Sequence, residues 1–168
     1  MWEKRRETVS FPYIREPQGK GRYIIMFILK VNEKEYKIKF AYKPVLKKRI
    51  LSRLAEVTKK MNTEGDETSL AGIEDLLLFI PELILVGLQR NHKDEFWYDY
   101  NTNEGFNEQL EKVDSIIDEY CDSEDSDMME LFSELQKELL EDGFLSSLFR
   151  QEQKRIKEVE DSLNPTEP

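Results

Sequence analysis

The sequence is poor in the residue types on which most enzyme sites depend. It contains one cysteine, Cys121, and one histidine, His92, among 168 residues. A single cysteine excludes a disulfide framework within the chain and a zinc site built from cysteines, and it favours a reducing compartment. With one histidine, any conventional catalytic triad would have to be built around His92. A surface position near a helix end is the simpler interpretation of that residue.

The chain also lacks the short motifs that mark catalytic and phosphate-binding sites. It contains no GxxxxGK[ST] loop, no GxGxxG after a strand and no GxSxG. These motifs supply the backbone donors and nucleophiles of the commonest transfer and hydrolytic enzymes. We therefore expect a protein that is not an enzyme and that uses no cofactor.

Long apolar runs are missing as well. The longest apolar stretch, residues 76–88, is interrupted by Pro81 and Glu82. A membrane-spanning helix needs about 20 mostly apolar residues, so this stretch predicts a buried or partner-covered helix. The first 14 residues lack the apolar core, roughly 7 to 15 residues long, of a secretory signal. We expect the protein to remain in the cytoplasm where it is made, without membrane contact.

Charge divides the chain near Lys60. Residues 1–60 hold 17 Lys and Arg and 6 acidic residues, a net charge of +11, whereas residues 61–168 hold 8 and 29, a net charge of −21. An asymmetry of this size favours binding to a partner over small-molecule chemistry. Two alternatives stay open. The two parts attract each other within one monomer, or they attract further copies and produce head-to-tail self-association.

The N-terminal third predicts an arm followed by a β-hairpin. Residues 1–22 contain two prolines and two glycines among charged residues, which is typical of an irregular basic arm. Residues 23–31 are rich in β-branched and aromatic side chains, and residues 36–43 alternate strictly. This pattern predicts two antiparallel strands. Their buried face is predicted to contain Tyr36, Ile38, Phe40 and Tyr42.

The remainder is predicted to be helical. Apolar residues recur every three or four positions from Leu46 to Met61, which predicts one amphipathic helix that begins at Pro44. A further helical segment begins near Ser69, and Pro81 is expected to kink or divide it. Residues 106–120 carry the next helical stripe. Asp127, with Glu130 three residues later, indicates the capped start of another helix.

That helix is expected to stop at Gly143 in a left-handed conformation. A short apolar turn follows over residues 144–149, and residues 151–168 predict a charged helical tail that frays into disorder. The fold class is therefore α+β and mostly helical, with an N-terminal β-hairpin packed against a bundle of about five helices. Residues 23–150 are predicted to form a single domain.

Two charged surfaces are candidates for binding. Asp114, Asp118 and Asp122 lie at i, i+4 positions on one helix face, and they form either a solvated acidic face or a ligand set for a hard cation. The nearby DSEDSDMME segment lacks the glycine of a calcium loop, so we expect no metal site. A basic surface is predicted from Lys37, Lys39, Lys43, Lys47, Lys48, Arg49 and Arg53.

The basic surface allows an alternative function. Lysines neutralise phosphates without reading sequence, so these residues are compatible with a nucleic-acid-binding or regulatory protein. Against this, the sequence pI of about 4.8 means that most of the chain would repel the same backbone.

Three blocks resemble the tail assembly chaperones of long, non-contractile-tailed bacteriophages. They are LKVNEKEYKIKFAYKPVLKKRILSRL, IPELILVGLQRNHKDEFWYDYNTNEG and LFSELQKELLEDGFLSSLFRQEQ, in this order. The resemblance covers residues 28–153 and leaves out the arm before Tyr23. It implies a cytoplasmic protein of the infected bacterium that keeps the tape measure protein soluble and helps the tail tube protein assemble around it. It also implies absence from the mature virion, and the family commonly has a longer, frameshifted form.

A binder for a long, helix-rich client needs exposed apolar surface rimmed by charge. The aromatic and apolar segments of this chain are either core or such a surface. Two candidate patches follow. The first contains Phe79, Leu83, Val86, Phe96, Trp97 and Tyr98, and the second contains Phe144, Leu148 and Phe149.

Overall fold

The structure of this protein is a computed structural model, and it describes residues 14–18, 22–62 and 66–164. These residues form a three-stranded sheet and a helical body. The strands are β1 (Ile14–Gln18), β2 (Arg22–Val31) and β3 (Lys34–Ile38). The helices are α1 (Tyr42–Lys47), α2 (Ile50–Met61), α3 (Asp66–Leu88), α4 (Lys93–Phe96), α5 (Phe106–Cys121), α6 (Met128–Lys137) and α7 (Ser146–Leu163).

The predicted hairpin is confirmed, and it carries one strand more than expected. β2 pairs antiparallel with β3 across a two-residue turn, at which Asn32 has a φ of 55° that asparagine tolerates. β1 pairs antiparallel with β2 on its other side, with Ile14 opposite Met26. The prediction of an irregular arm over residues 1–22 is therefore wrong at Ile14–Gln18. β3 pairs only with the C-terminal half of β2, and β1 forms its hydrogen bonds with the N-terminal half. Residues 1–13 lie outside the described residues.

The buried face of the hairpin is largely as predicted. Tyr36, Ile38 and Phe40 are buried, and they alternate with Lys37, which is exposed. Tyr42 breaks the pattern because it lies in α1 and is 66% exposed. β3 ends at Ile38, so the alternation that placed Tyr42 inside does not extend that far.

The amphipathic helix predicted after Pro44 is divided into α1 and α2. Arg49 separates the two helices with a left-handed backbone, at a φ of 52°. As a result, Ile50, Leu54 and Val57 of α2 face the core, whereas Leu46 of α1 is 45% exposed. The predicted apolar stripe therefore faces the core only from Ile50 onward.

Pro81 does not divide α3, which continues through it to Leu88. A proline inside a helix costs roughly 3 kcal/mol. Here the following turns are almost entirely buried, from Leu83 to Gln89. Burying a leucine or isoleucine side chain contributes about 1.5 to 3 kcal/mol, so several of them outweigh the proline. The helix therefore persists where local propensity favours a break.

Asp127 caps α6 as predicted. Its carboxylate accepts hydrogen bonds from the N–H groups of Met129 and Glu130 at 2.9 and 3.0 Å. The backbone N–H of Asp127 donates to the hydroxyl of Tyr120 at 3.0 Å. That hydroxyl in turn donates to the Asp127 carbonyl at 3.1 Å. Tyr120 thus ties the end of α5 to the start of α6.

The chain between α6 and α7 differs from the expected left-handed stop. Residues Glu138–Asp142 form a π-helical turn, and Gly143 after it is extended, with a φ of −96°. A Cβ atom on Gly143 would lie 3.0 Å from the Glu138 carbonyl oxygen, which explains why glycine suits this position. The turn rests on β2 and begins with the buried carboxyl of Glu138.

One apolar cluster connects the sheet with the helices. It includes Phe27 and Leu29 of β2, and it continues through α2, α3, α5 and α6 as far as Leu145. The chain is therefore α+β and mostly helical, as predicted. The tail predicted from residue 151 is helical to Leu163, and residues 165–168 lie outside the described residues. No helix in the described part is both long and apolar enough to cross a membrane.

Candidate protein-binding surface

The last helix, α7, has no covering element along most of its length. None of its 18 residues is buried, and only Ser146 and Phe149 are partly covered. Its apolar side chains are nevertheless large. Leu148, Ile156, Val159 and Leu163 are 62, 52, 53 and 73% exposed. An amphipathic helix with an uncovered apolar face is typical of a segment that binds another protein.

The apolar face of α7 follows a coiled-coil spacing. Counted from the buried Leu145, the positions at alternating intervals of four and three are Leu145, Phe149, Glu152, Ile156, Val159 and Leu163. All of these residues except Glu152 are apolar. We define the α7 seam as Phe149, Glu152, Ile156, Val159 and Leu163. This spacing keeps one face toward a partner helix over its whole length.

A groove adjoins the beginning of the α7 seam. It lies between α6, the π-helical turn and α7, and it has a volume of about 270 Å³. Its apolar lining comes from Leu140 and Phe149, both of which are half-buried. Phe149 therefore belongs to both the groove and the seam, so the two form one continuous surface.

The N-terminal half of α3 presents a second exposed apolar patch. Leu70, Ile73, Leu77 and Leu78 are 70, 44, 44 and 61% exposed. Three of them recur at intervals of three and four, so they share one side of the helix. The C-terminal half of the same helix is buried. α3 thus combines a core segment with an uncovered one.

The first predicted patch is not an accessible groove. Its members Phe79, Leu83, Val86, Phe96 and Tyr98 are at most 3% exposed. They lie in the central cluster because β3, α2, α4, α5 and α6 all pack against α3. Trp97 is the exception, with an exposure of 48%. Between two buried aromatic residues, its indole faces outward.

The second predicted patch lies at the surface. Phe144 and Leu148 are 39 and 62% exposed, and Phe149 lines the groove. The ring of Phe144 packs edge-on against Tyr42, with 5.8 Å between ring centroids. The structure therefore brings these three residues next to the start of the α7 seam. Ile156, Val159 and Leu163 lie in the segment predicted as a charged tail, although their spacing already continues the pattern of Leu148 and Phe149.

Three of the seven predicted basic residues face protein groups. Arg53 forms an ion pair with Glu82, with 2.5 Å between Nη1 and Oε2. Lys48 Nζ lies 3.1 Å from the centroid of the Phe106 ring, and burial lowers its pKa. The positive charge of Lys39 lowers the pKa of the buried Glu138 carboxyl and so partly opposes the effect of burial. The residues that remain are Lys37, Lys43, Lys47 and Arg49, all exposed.

His92 has a structural role in the described part of the chain. Its Nε2 accepts a hydrogen bond from the backbone N–H of Lys37 at 2.9 Å, and its ring lies beside Tyr36. Burial lowers its pKa, with a smaller opposing effect of Glu95. An imidazole whose Nε2 accepts this bond is neutral. His92 therefore connects β3 to the start of α4.

The acidic ladder of α5 remains at the surface. Asp114, Asp118 and Asp122 are exposed, and burial together with Asp118 raises the pKa of Asp114. Across the described residues, no group of three or more His, Cys, Asp or Glu side chains is arranged to hold a metal ion.

Comparisons with known proteins found no match, either among family models or among curated proteins and solved structures. The exposed apolar surfaces of α7 and α3 are therefore the features of this chain that bear on its function.

Proposed function

We propose that this protein is a tail assembly chaperone of a bacteriophage with a long, non-contractile tail. It binds the tape measure protein, keeps it soluble and promotes assembly of the tail tube protein around it. In this proposal the protein is not an enzyme, it acts in the cytoplasm of the infected bacterium, and it is absent from the mature virion. The three sequence blocks that resemble this family suggested the role.

The observation that carries the proposal is the uncovered amphipathic helix α7. A tape measure protein is a long, helix-rich chain, and an amphipathic client helix binds through apolar contacts at i, i+3, i+4 and i+7. The α7 seam offers contacts at this spacing, and its apolar side chains from Ile156 to Leu163 are exposed, with no covering element within the described chain. The exposed apolar patch in the N-terminal half of α3, which includes Leu70 and Leu78, supplies a second contact for a long client.

Co-expression with the tape measure protein encoded in the same genome tests the proposal. We expect the client to become soluble and to co-elute with the chaperone in size-exclusion chromatography with light scattering. The measured mass then gives the number of chaperone copies on each client. Adding the tail tube protein should yield tubes of defined length only in the presence of the chaperone.

A matched pair of variants assigns the effect to the seam. Ile156→Ser with Val159→Ser removes two exposed apolar side chains of the seam, and we expect the client to precipitate. Lys154→Ser with Asp161→Ser alters the opposite face of the same helix without a change in net charge, and it should leave the client soluble. All four positions are exposed, so neither variant disturbs the core.

Two results would contradict the proposal. One is a client that stays insoluble while the protein elutes as a lone monomer. The other is retention of the protein on DNA or RNA that declines as salt rises, since this would assign the exposed basic residues to phosphate binding.

A further inference from the structure

The α7 seam contains one charged residue where a helix partner would make its closest contact. Glu152 follows Phe149 by three positions and precedes Ile156 by four, so its side chain lies in line with the seam. Among the described residues, its one ion pair is to Arg155 on the same helix, at 3.7 Å, and both side chains are mostly exposed. Such an exposed pair contributes little and is readily exchanged.

A partner helix lying on the seam would remove Glu152 from water. An ionised carboxylate that loses its hydration without a charged or hydrogen-bonding partner costs several kcal/mol. A lysine or arginine at the facing position of the partner offsets this cost. The charge thus discriminates between partner helices whose apolar residues are otherwise equivalent.

A second copy of α7 does not meet this requirement. In a parallel pair in register, the two Glu152 side chains would face each other at the centre of the seam. In an antiparallel pair, Glu152 would face another residue of the seam, and the seam contains no basic residue. Charged and polar residues at such positions specify which partner and register a coiled coil accepts. Glu152 therefore disfavours self-pairing through α7.

We infer that α7 binds an amphipathic helix of another protein that carries a lysine or arginine opposite Glu152. This inference rests on the proposed function, because it names the feature of the client that the same helix recognises. From Phe149 to Leu163 the seam extends about 21 Å, or roughly four helical turns. The groove beside Phe149 and Leu140 receives the end of the partner helix that lies nearest the domain.

Two synthetic peptides serve as the probe. Each consists of about three heptads with leucine at the core positions. In one peptide the central core position is lysine, and in the other it is glutamate. Fluorescence anisotropy of the labelled peptides measures binding to the full chain at low and at physiological salt. We expect the lysine peptide to bind at least about tenfold more tightly than the glutamate peptide.

A charge exchange tests the role of Glu152 itself. In Glu152→Lys the preference should reverse, so that the glutamate peptide binds more tightly. Glu158→Lys makes the same change in charge on the exposed opposite face of α7, and it should leave the preference for lysine in place. A general electrostatic effect would change the peptide preference of both variants equally.

Three outcomes of the peptide experiment overturn the inference. They are equal binding of both peptides, no binding of either, and a preference that Glu152→Lys leaves unchanged. A protein mass that rises with concentration and returns to the monomer in Ile156→Ser would also overturn it, since this shows self-pairing through the seam. The proposed function fails separately. If the lysine peptide binds as expected while the tape measure protein stays insoluble, the inference stands and the assignment of the client is wrong.

Discussion

The backbone N–H of Lys39 donates a hydrogen bond to the carbonyl of Gly87 at 3.0 Å. This bond joins the end of β3 to the last turn of α3. The two elements approach closely because Gly87 has no side chain. A Cβ atom at this position would overlap Cγ2 of Ile38 and would lie 3.3 Å from the ring of Phe40.

Gly87→Ala should therefore destabilise the protein by about 1 to 3 kcal/mol, the usual cost of overpacking a core. Urea unfolding followed by circular dichroism measures the change. The double variant with Ile38→Ala provides the control, because it removes the Cγ2 atom that the new methyl group would meet. If Gly87→Ala costs as much in that background as in the wild type, overlap with Ile38 is not the cause.

Tyr120→Phe should destabilise the protein by about 1 to 2 kcal/mol. The hydroxyl of Tyr120 both donates to and accepts from the backbone of Asp127, so its removal leaves two polar groups without these bonds. Thermal and urea unfolding measure the effect. Tyr42→Phe is the matched control, since Tyr42 is 66% exposed and should tolerate the same change. A similar loss in both variants would refute the structural role of the Tyr120 hydroxyl.

The stability of the protein should decline as the pH rises from about 4.5 to 8. Burial, with a smaller effect of Asp142, raises the pKa of Glu138 from 4.5 to about 8, while Lys39 and a weak contact with the Phe27 N–H oppose this shift. Within the described part of the chain, neither carboxyl oxygen accepts a well-formed hydrogen bond. The folded state thus binds a proton that the unfolded state releases over this range, and the linked loss at pH 7 is on the order of a few kcal/mol.

Glu138→Gln tests this pH dependence, because an amide retains the shape of the side chain without its charge. We expect the variant to gain stability over the wild type at pH 7 to 8 and to approach it near pH 5. Glu141→Gln, at an exposed position of the same turn, should reproduce the wild-type profile. Urea midpoints measured at intervals from pH 5 to 8 provide the test. Parallel profiles for the wild type and Glu138→Gln would contradict a pH dependence caused by Glu138.

Arg49→Gly should stabilise the protein by about 0.5 to 1 kcal/mol. Arg49 adopts a left-handed conformation between α1 and α2, which costs a residue with a side chain roughly 1 to 2 kcal/mol. Glycine avoids this cost. The greater conformational freedom of the unfolded glycine variant offsets part of the gain in stability. Arg49→Ala removes the same side chain but keeps the strain, so it should bring no gain. An equal gain in both variants would assign the effect to the arginine side chain.

Local patterns in the sequence determined the elements whose formation depends on neighbouring residues. The alternation at Tyr36, Ile38 and Phe40 predicted the buried face of β3 and of the residues directly after it, and the Asp127 side chain predicted the start of α6. Both predictions are confirmed because a strand face and a helix cap are set by residues within a few positions of one another. The helical class followed in the same way from the 3.6-residue stripes.

Only the tertiary structure decided which apolar residues are covered. Phe79 and Leu77 lie two positions apart in one apolar segment, yet Phe79 is fully buried and Leu77 is 44% exposed. Periodicity shows that a face is apolar, but the element that covers it comes from distant parts of the chain. The same long-range burial carries α3 through Pro81 and places Glu138 in the core. The uncovered faces of α3 and α7, on which the proposed function depends, became visible only when the remaining contacts of the described chain were in place.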